Sequence, residues 1–194
     1  FRRVLFRSRG DDGFAGHVVA LGSLGAVTSL VLDVEPAYGI EQTVWDGLPF
    51  DVAAASFDDV MAAAYSVSLF TTWTGPVFEQ VWVKRRIDEP VADLAWTGAR
   101  PADGPRHPVA GVDPVACTEQ GGAAGPWFER LPHFRLEFTP SAGAELQTEY
   151  MVPRSLAAQA LEAVLGIARF VAPVTQVSEI RTVAADDLWL SPCE

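Results

Sequence analysis

The chain has 194 residues, 49% hydrophobic and 20% charged, enough apolar material for one large domain, or one and a half small ones, around a sizeable core. Its formal charge of −11 and pI near 4.6 are the wrong sign for a phosphate backbone or an anionic membrane surface, so nucleic-acid and membrane-surface binding are not expected. Cys117 and Cys193 are far apart and form no CxxC, and His17, His107 and His133 are scattered. No disulfide framework or metal-ligand set is expected, and a reducing, cytoplasmic setting is.

The first residues, Phe1 to Arg9, are basic and lack the apolar core of a secretory signal. They read as a basic arm or as a leader foreign to the fold; the second reading is adopted and leaves 1–9 out of the fold. Gly10 to Gly16 is a loop. Phe14 to Leu24 is short and apolar and predicts a two-turn helix that Gly25 closes. Ala26 to Val34 is rich in β-branched residues and predicts a strand stopped by Pro36. Gly22 and Gly25 either let backbone amides approach a phosphate or cofactor ring or allow tight packing; the spacing is neither GxGxxG nor a P-loop.

Gly39 to Leu48 reads as a strand. Ser56 to Ala63 reads as a helix capped by Ser56, with Asp59 three residues on. Tyr65 to Thr72 and Phe78 to Arg85 alternate as strands, the second placing Phe78, Gln80, Trp82 and Lys84 on one face. Lys84-Arg85-Arg86 reads as a solvated strand end. Asp88 to Pro126 has little periodicity and is expected to wrap the surface or serve function. Phe134 to Thr139 and Leu146 to Val152 are predicted strands. Ser155 to Val171 is the clearest helix, with Leu156, Ala160, Leu161, Val164, Leu165 and Ala168 forming an apolar stripe. No run reaches the roughly 20 apolar residues that span a bilayer.

A last strand, Val177 to Val183, carries Glu179 and Arg181 on one face, because alternate residues share a side. The pair is either a surface ion pair worth about 0–1 kcal/mol, or a polar clamp. In a clamp, Glu179 accepts hydrogen bonds from hydroxyls while Arg181 donates several in a fixed fork. Taken together, strands with interspersed helices predict an α+β fold, a mostly antiparallel sheet with helices on one face.

Several blocks carry a resemblance. Gly16-His17-Val18-Val19-Ala20-Leu21-Gly22-Ser23-Leu24-Gly25-Ala26-Val27-Thr28 resembles the end of the FAD-binding domain of vanillyl-alcohol-oxidase-type flavoproteins. Ala64 to Thr71, Cys117-Thr118-Glu119-Gln120, Gly125 to Phe134, Gly143 to Tyr150 and Glu179-Ile180-Arg181-Thr182-Val183-Ala184 are similar to the bacterial alditol oxidase family, relatives of the aldonolactone oxidases. The resemblance implies an FAD enzyme oxidising the terminal hydroxyl of a sugar alcohol, with O2 reduced to hydrogen peroxide. It implies Glu179 and Arg181 as the residues holding polyol hydroxyls, and Gly22, Gly25, Val27 and Thr28 as the turn against FAD. The implied layout is 10–35 as the tail of the FAD-binding domain and 36–194 as a substrate domain. It also implies a chain truncated at both ends, with the covalent flavin site outside it, inactive unaided and monomeric. A lactone oxidase or dehydrogenase, or a non-catalytic carbohydrate-binding domain, are the alternatives.

Overall fold

A computed structural model describes residues 7–138 and 145–193. The chain forms two compact units: Phe1–Glu35 with Val183–Glu194, and Pro36–Thr182. Most of the expected leader, residues 1–6, lies outside the described residues, as do Thr139 at the end of one predicted strand and Gly143-Ala144 of one family block.

The first unit is sparse. Helix α1 spans only Ala15–Val18, ending at Val19 (φ −111°, ψ 88°), so the two-turn helix closed by Gly25 does not form. Trp189 packs against Gly16, where an added Cβ would sit 2.4 Å from the ring. The predicted strand 26–34 is open coil, with Val27, Leu30, Val31 and Val34 exposed. Its β-branched composition remains, but among the described residues no backbone ladder reaches it, and a strand exists only through its partner's hydrogen bonds.

The second unit is a six-stranded sheet with every pairing antiparallel. Its strands are β1 (Gly39–Pro49), β2 (Ser66–Thr71), β3 (Val77–Arg86), β4 (Arg100–Pro101), β5 (Gly125–Pro126) and β6 (Ser178–Ile180). The order is β4-β1-β3-β2-β6, with β5 also paired to β1. Both faces of the long central strands are covered, so β2 and β3 are buried almost continuously rather than alternately.

One face is the main core. Val67, Leu69, Val81 and Val83 point toward α2 (Phe50–Ala55), α3 (Phe57–Met61) and α5 (Ala157–Gly166), meeting Phe57, Val60, Met61 and Leu161. Of the predicted stripe, Leu161, Val164, Leu165 and Ala168 join this core, while Leu156 is half exposed, Ala160 is outside the cluster, and Ala157, not in the stripe, is buried. The helix is not continuous: it breaks at Ile167 (φ −112°, ψ 9°), just past Gly166, and α6 (Ala168–Val171) continues across a bend of 62°. Among the described residues no single helix is long and apolar enough to cross a membrane.

Two local expectations fail for visible reasons. Ser56 makes no side-chain cap, because it also ends α2: its N–H bonds back to Val52 O at 3.0 Å, leaving it at φ −127°, ψ 36°. Phe78 does not stay with Gln80, Trp82 and Lys84. Next to it in the ladder, Gly47 adopts φ +79°, which glycine accepts without strain, and the strand end turns toward the helices. Phe78 there meets Phe50 edge-on at 4.5 Å.

The other face carries Val44, Phe70, Trp82 and Cys117 with Phe134, Ala102 and Val177. It is roofed by the later part of the long irregular segment, with the 3₁₀ turn Pro114–Ala116, whereas the turn Ala95–Thr97 lies between Leu94 and Ala99, which join the helix-side core. α4 (Trp127–Arg130) closes this stretch. Phe134 bridges to Cys117 but starts no strand, and 146–152 is exposed coil. Among the described residues, alternation there has no second strand or apolar surface to face: Leu146 is 99% exposed.

Because Leu69 is fully buried in the helix-side core, Leu69→Ala is expected to cost about 2–5 kcal/mol. Exposed Leu30→Ala should stay within about 0.5 kcal/mol. Urea midpoints measure both; equal midpoints for the two variants would overturn this placement of the core.

Candidate active site

The site grows from the ladder register. β2 lies between β3 and β6, so Phe70 faces both Gln80 and Glu179, and Ser68 pairs with Trp82. Side chains two residues apart along these strands share the roofed face. Glu179 therefore emerges beside Phe70 and Ser68, and Arg181 follows on the same side just past the end of β6. The strand predicted over 177–183 is shortened to three residues, and it is an edge strand.

Sequence reasoning placed Glu179 and Arg181 together, and the structure does too, with Arg181 Nε 3.9 Å from Glu179 Oε1. They differ in setting: a quarter of the Glu179 side chain is open to solvent, against 54% of Arg181. At that distance and exposure the direct pair contributes little to stability.

Behind Glu179 stand two residues that sequence reasoning did not assign to the site. His133 Nε2 lies 2.8 Å from Glu179 Oε1 and 3.5 Å from Ser68 Oγ. The imidazole is set edge-on against Trp82 (5.1 Å, 76°) and Phe70 (5.6 Å, 66°), which fixes its plane. Lys84 Nζ donates to Leu131 O, to Pro132 O at 3.1 Å and to His133 Nδ1 at 2.9 Å. Lys84 is 1% exposed, so it is not part of a solvated strand end. Of that basic run, Arg85 is also drawn in, its Nε donating to Glu41 at 2.8 Å.

The electrostatics follow from burial. Desolvation is the largest influence on Lys84 and brings its pKa from 10.5 down to about 7. Glu179 pulls it back up, while Arg181 pushes it down. For Glu179 desolvation is again the largest influence and raises the pKa. The hydrogen bond from His133 and, in the protonated ring, its charge, then Ser68 and Arg181, outweigh it together and hold the carboxyl below its ordinary value. Cys117, beneath the same roof, has its thiol pushed up to about 11 by burial.

Two cavities of about 300 and 230 Å³ open near the Gln80 end of β3, the larger lined by Asp46, Arg106 and His107, the smaller by Phe70, Thr71 and Thr72. Neither is lined by Glu179 or Arg181, and the cation of the larger is already committed: Arg106 Nη2 bonds Asp46 at 2.8 Å and Asp103 at 2.7 Å. The polar row of Lys84, His133, Glu179 and Arg181 has the better chemistry.

In the other unit, Gly22 (φ +73°) and Gly25 (φ +117°) flank an exposed turn in which an added Cβ would meet nothing within 4 Å. The glycines therefore serve no tight packing among the described residues. Val27 is 74% exposed and Thr28 is exposed. Of the backbone amides in this turn, Ser23 N–H donates to Ala20 O at 2.9 Å.

No protein-family model matches the chain. Over 183 residues, 94% of the chain, it is 54% identical to alditol oxidase from a Streptomyces species. The match covers 43% of that protein, so the chain spans less than half the length of the relative it matches.

The depressed Lys84 pKa has a signed consequence. Between about pH 7 and 10.5 the unfolded chain holds this proton and the folded one has released it, so stability rises with pH across that window. The slope from this group is at most about 1.4 kcal/mol per pH unit, and is flat below pH 7. Urea unfolding at pH 7, 8 and 9 should show this rise in the parent and lose it in Lys84→Met; identical slopes would contradict a buried, depressed ammonium.

Proposed function

Because the chain is a homologue of alditol oxidases, we propose that it carries the polyol-holding part of an FAD-dependent oxidoreductase. The reaction takes the terminal hydroxyl of a sugar alcohol such as xylitol or sorbitol to the aldose and reduces O2 to hydrogen peroxide. The observation that carries the reading is the 54% identity, joined to a carboxylate and a guanidinium presented together on one sheet face.

The residues suit this substrate. A polyol offers a row of hydroxyls, each donor and acceptor at once. Glu179, held ionised, accepts from a hydroxyl. Arg181, with five donors and half its side chain open, donates to neighbouring oxygens. Oxidation takes a hydride from carbon and a proton from oxygen, so negative charge develops on that oxygen. Arg181 stabilises this charge electrostatically. Fixing several hydroxyls at once orients the chain of the substrate, and selectivity among polyols arises there.

The Gly22–Thr28 turn suits the flavin, since its backbone is unobstructed by a Cβ at either glycine. Val27 and Thr28 would hold it through the backbone. When bound, the flavin supplies the hydride acceptor and the electron path to O2.

In the full-length enzyme, Arg181→Ala is expected to lower kcat/KM on xylitol or sorbitol at least tenfold, about 1.4 kcal/mol or more of transition-state binding. Peroxide release measures it. An unchanged value removes Arg181 from the site, and peroxide formed from aldonolactones but not from polyols replaces the substrate class.

A further inference from the structure

We propose that Lys84 is a positioning residue that acts through His133, fixing the imidazole tautomer and with it the direction in which Glu179 offers its carboxylate. Among the described residues Lys84 is the one charged side chain in the buried set. Burying an ammonium is costly, and the surrounding face of Val44, Phe70 and Trp82 would accept an apolar side chain. The charge is therefore retained for what it contacts.

The contacts form a complete set. Below its pKa of about 7 Lys84 is an ammonium, with three donors and no acceptor. Lys84 directs them to the carbonyls of Leu131 and Pro132 and to His133 Nδ1. The two carbonyls hold the ammonium in place, and the third bond requires Nδ1 to be the acceptor. A neutral imidazole that accepts at Nδ1 carries its proton on Nε2. That proton points along the 2.8 Å line to Glu179 Oε1. The opposite tautomer would set a nitrogen lone pair against a carboxylate oxygen and an N–H against an ammonium. The aromatic edges of Trp82 and Phe70 prevent the ring from escaping by rotation. One carboxylate oxygen is thereby pinned, and the group is oriented without using Arg181.

A second, purely architectural role for Lys84 is to tie the 131–133 segment over β3. That role needs the two carbonyl bonds and makes no demand on the imidazole proton. The tautomer separates the two.

The inference draws its catalytic consequence from the proposed polyol role of Glu179, but its first readout does not depend on that role. Imidazole ¹⁵N spectra of the full-length protein just below pH 7, where Lys84 is an ammonium, with His133 assigned by its disappearance in His133→Gln, are expected to show Nδ1 as the acceptor and the proton on Nε2. In Lys84→Met the ring is expected to become a mixture of tautomers. KM for xylitol should rise at least tenfold, with kcat changed less. His133→Gln, which keeps a donor near the Nε2 position, should retain more of the parent KM than His133→Ala. A parent ring protonated at Nδ1, or a Lys84→Met ring with an unchanged tautomer, overturns the inference, and the parent spectrum decides even where Lys84→Met fails to fold. An intact tautomer switch in a protein that oxidises no polyol overturns the functional reading and supports the inference. A tautomer switch with unchanged KM in an active enzyme overturns the positioning role.

Discussion

A lysine amine buried under the sheet's roof organises the polar face of this molecule. Lys84 sits near the C-terminal end of β3 with its amine removed from water, and among the described residues its hydrogen bonds reach segment 131–133. Those bonds hold the segment down, and the segment delivers His133 to the edge of β6. Without them Trp82 and Phe70 would lose the ring that covers them. The arrangement is sensitive because each partner is needed: an unpaired buried charge costs far more than a paired one contributes. The helix-side core can absorb such a demand because it is independent, with Leu69, Val81 and Phe78 closing on the helices whatever happens across the sheet.

The two faces divide the labour of the fold. On one, side chains of similar kind pack densely and specify nothing beyond shape. On the other, polar groups lie in sequence from interior to surface: a fully buried lysine, a histidine with 17% of its side chain exposed, a glutamate at 25%, an arginine at 54%. The effective dielectric rises along that row. Glu179 stays ionised although burial opposes it, because histidine, serine and arginine surround it. A carboxylate so placed accepts hydrogen bonds and resists becoming a donor.

Sequence patterning revealed what depended on local periodicity. β2 and β3 announced themselves by alternation, and 157–166 by its apolar stripe. The Glu179/Arg181 pairing followed from period two alone. What escaped depended on partners distant in sequence. The 26–34 segment has the composition of a strand but no ladder among the described residues. Ser56 has the residue type of a cap but spends its backbone ending α2. Lys84 was placed on the face of Trp82 and Gln80, yet its burial was set by carbonyls 47 and 48 residues away. The available clue was its position inside Val81-Trp82-Val83-Lys84, where a charge among large apolar residues needs partners. His133 offered no such clue, since one histidine after a proline is common in any loop.

The roof over this face has an effect on redox durability. Cys117 is 2% exposed, and its thiol, pushed up to about 11, stays protonated at neutral pH. Peroxide attacks thiolates, so a sulfur that is both shielded and protonated oxidises slowly. A fold whose proposed chemistry releases that oxidant beside its own sheet thus keeps its interior sulfur in the least vulnerable form available to it.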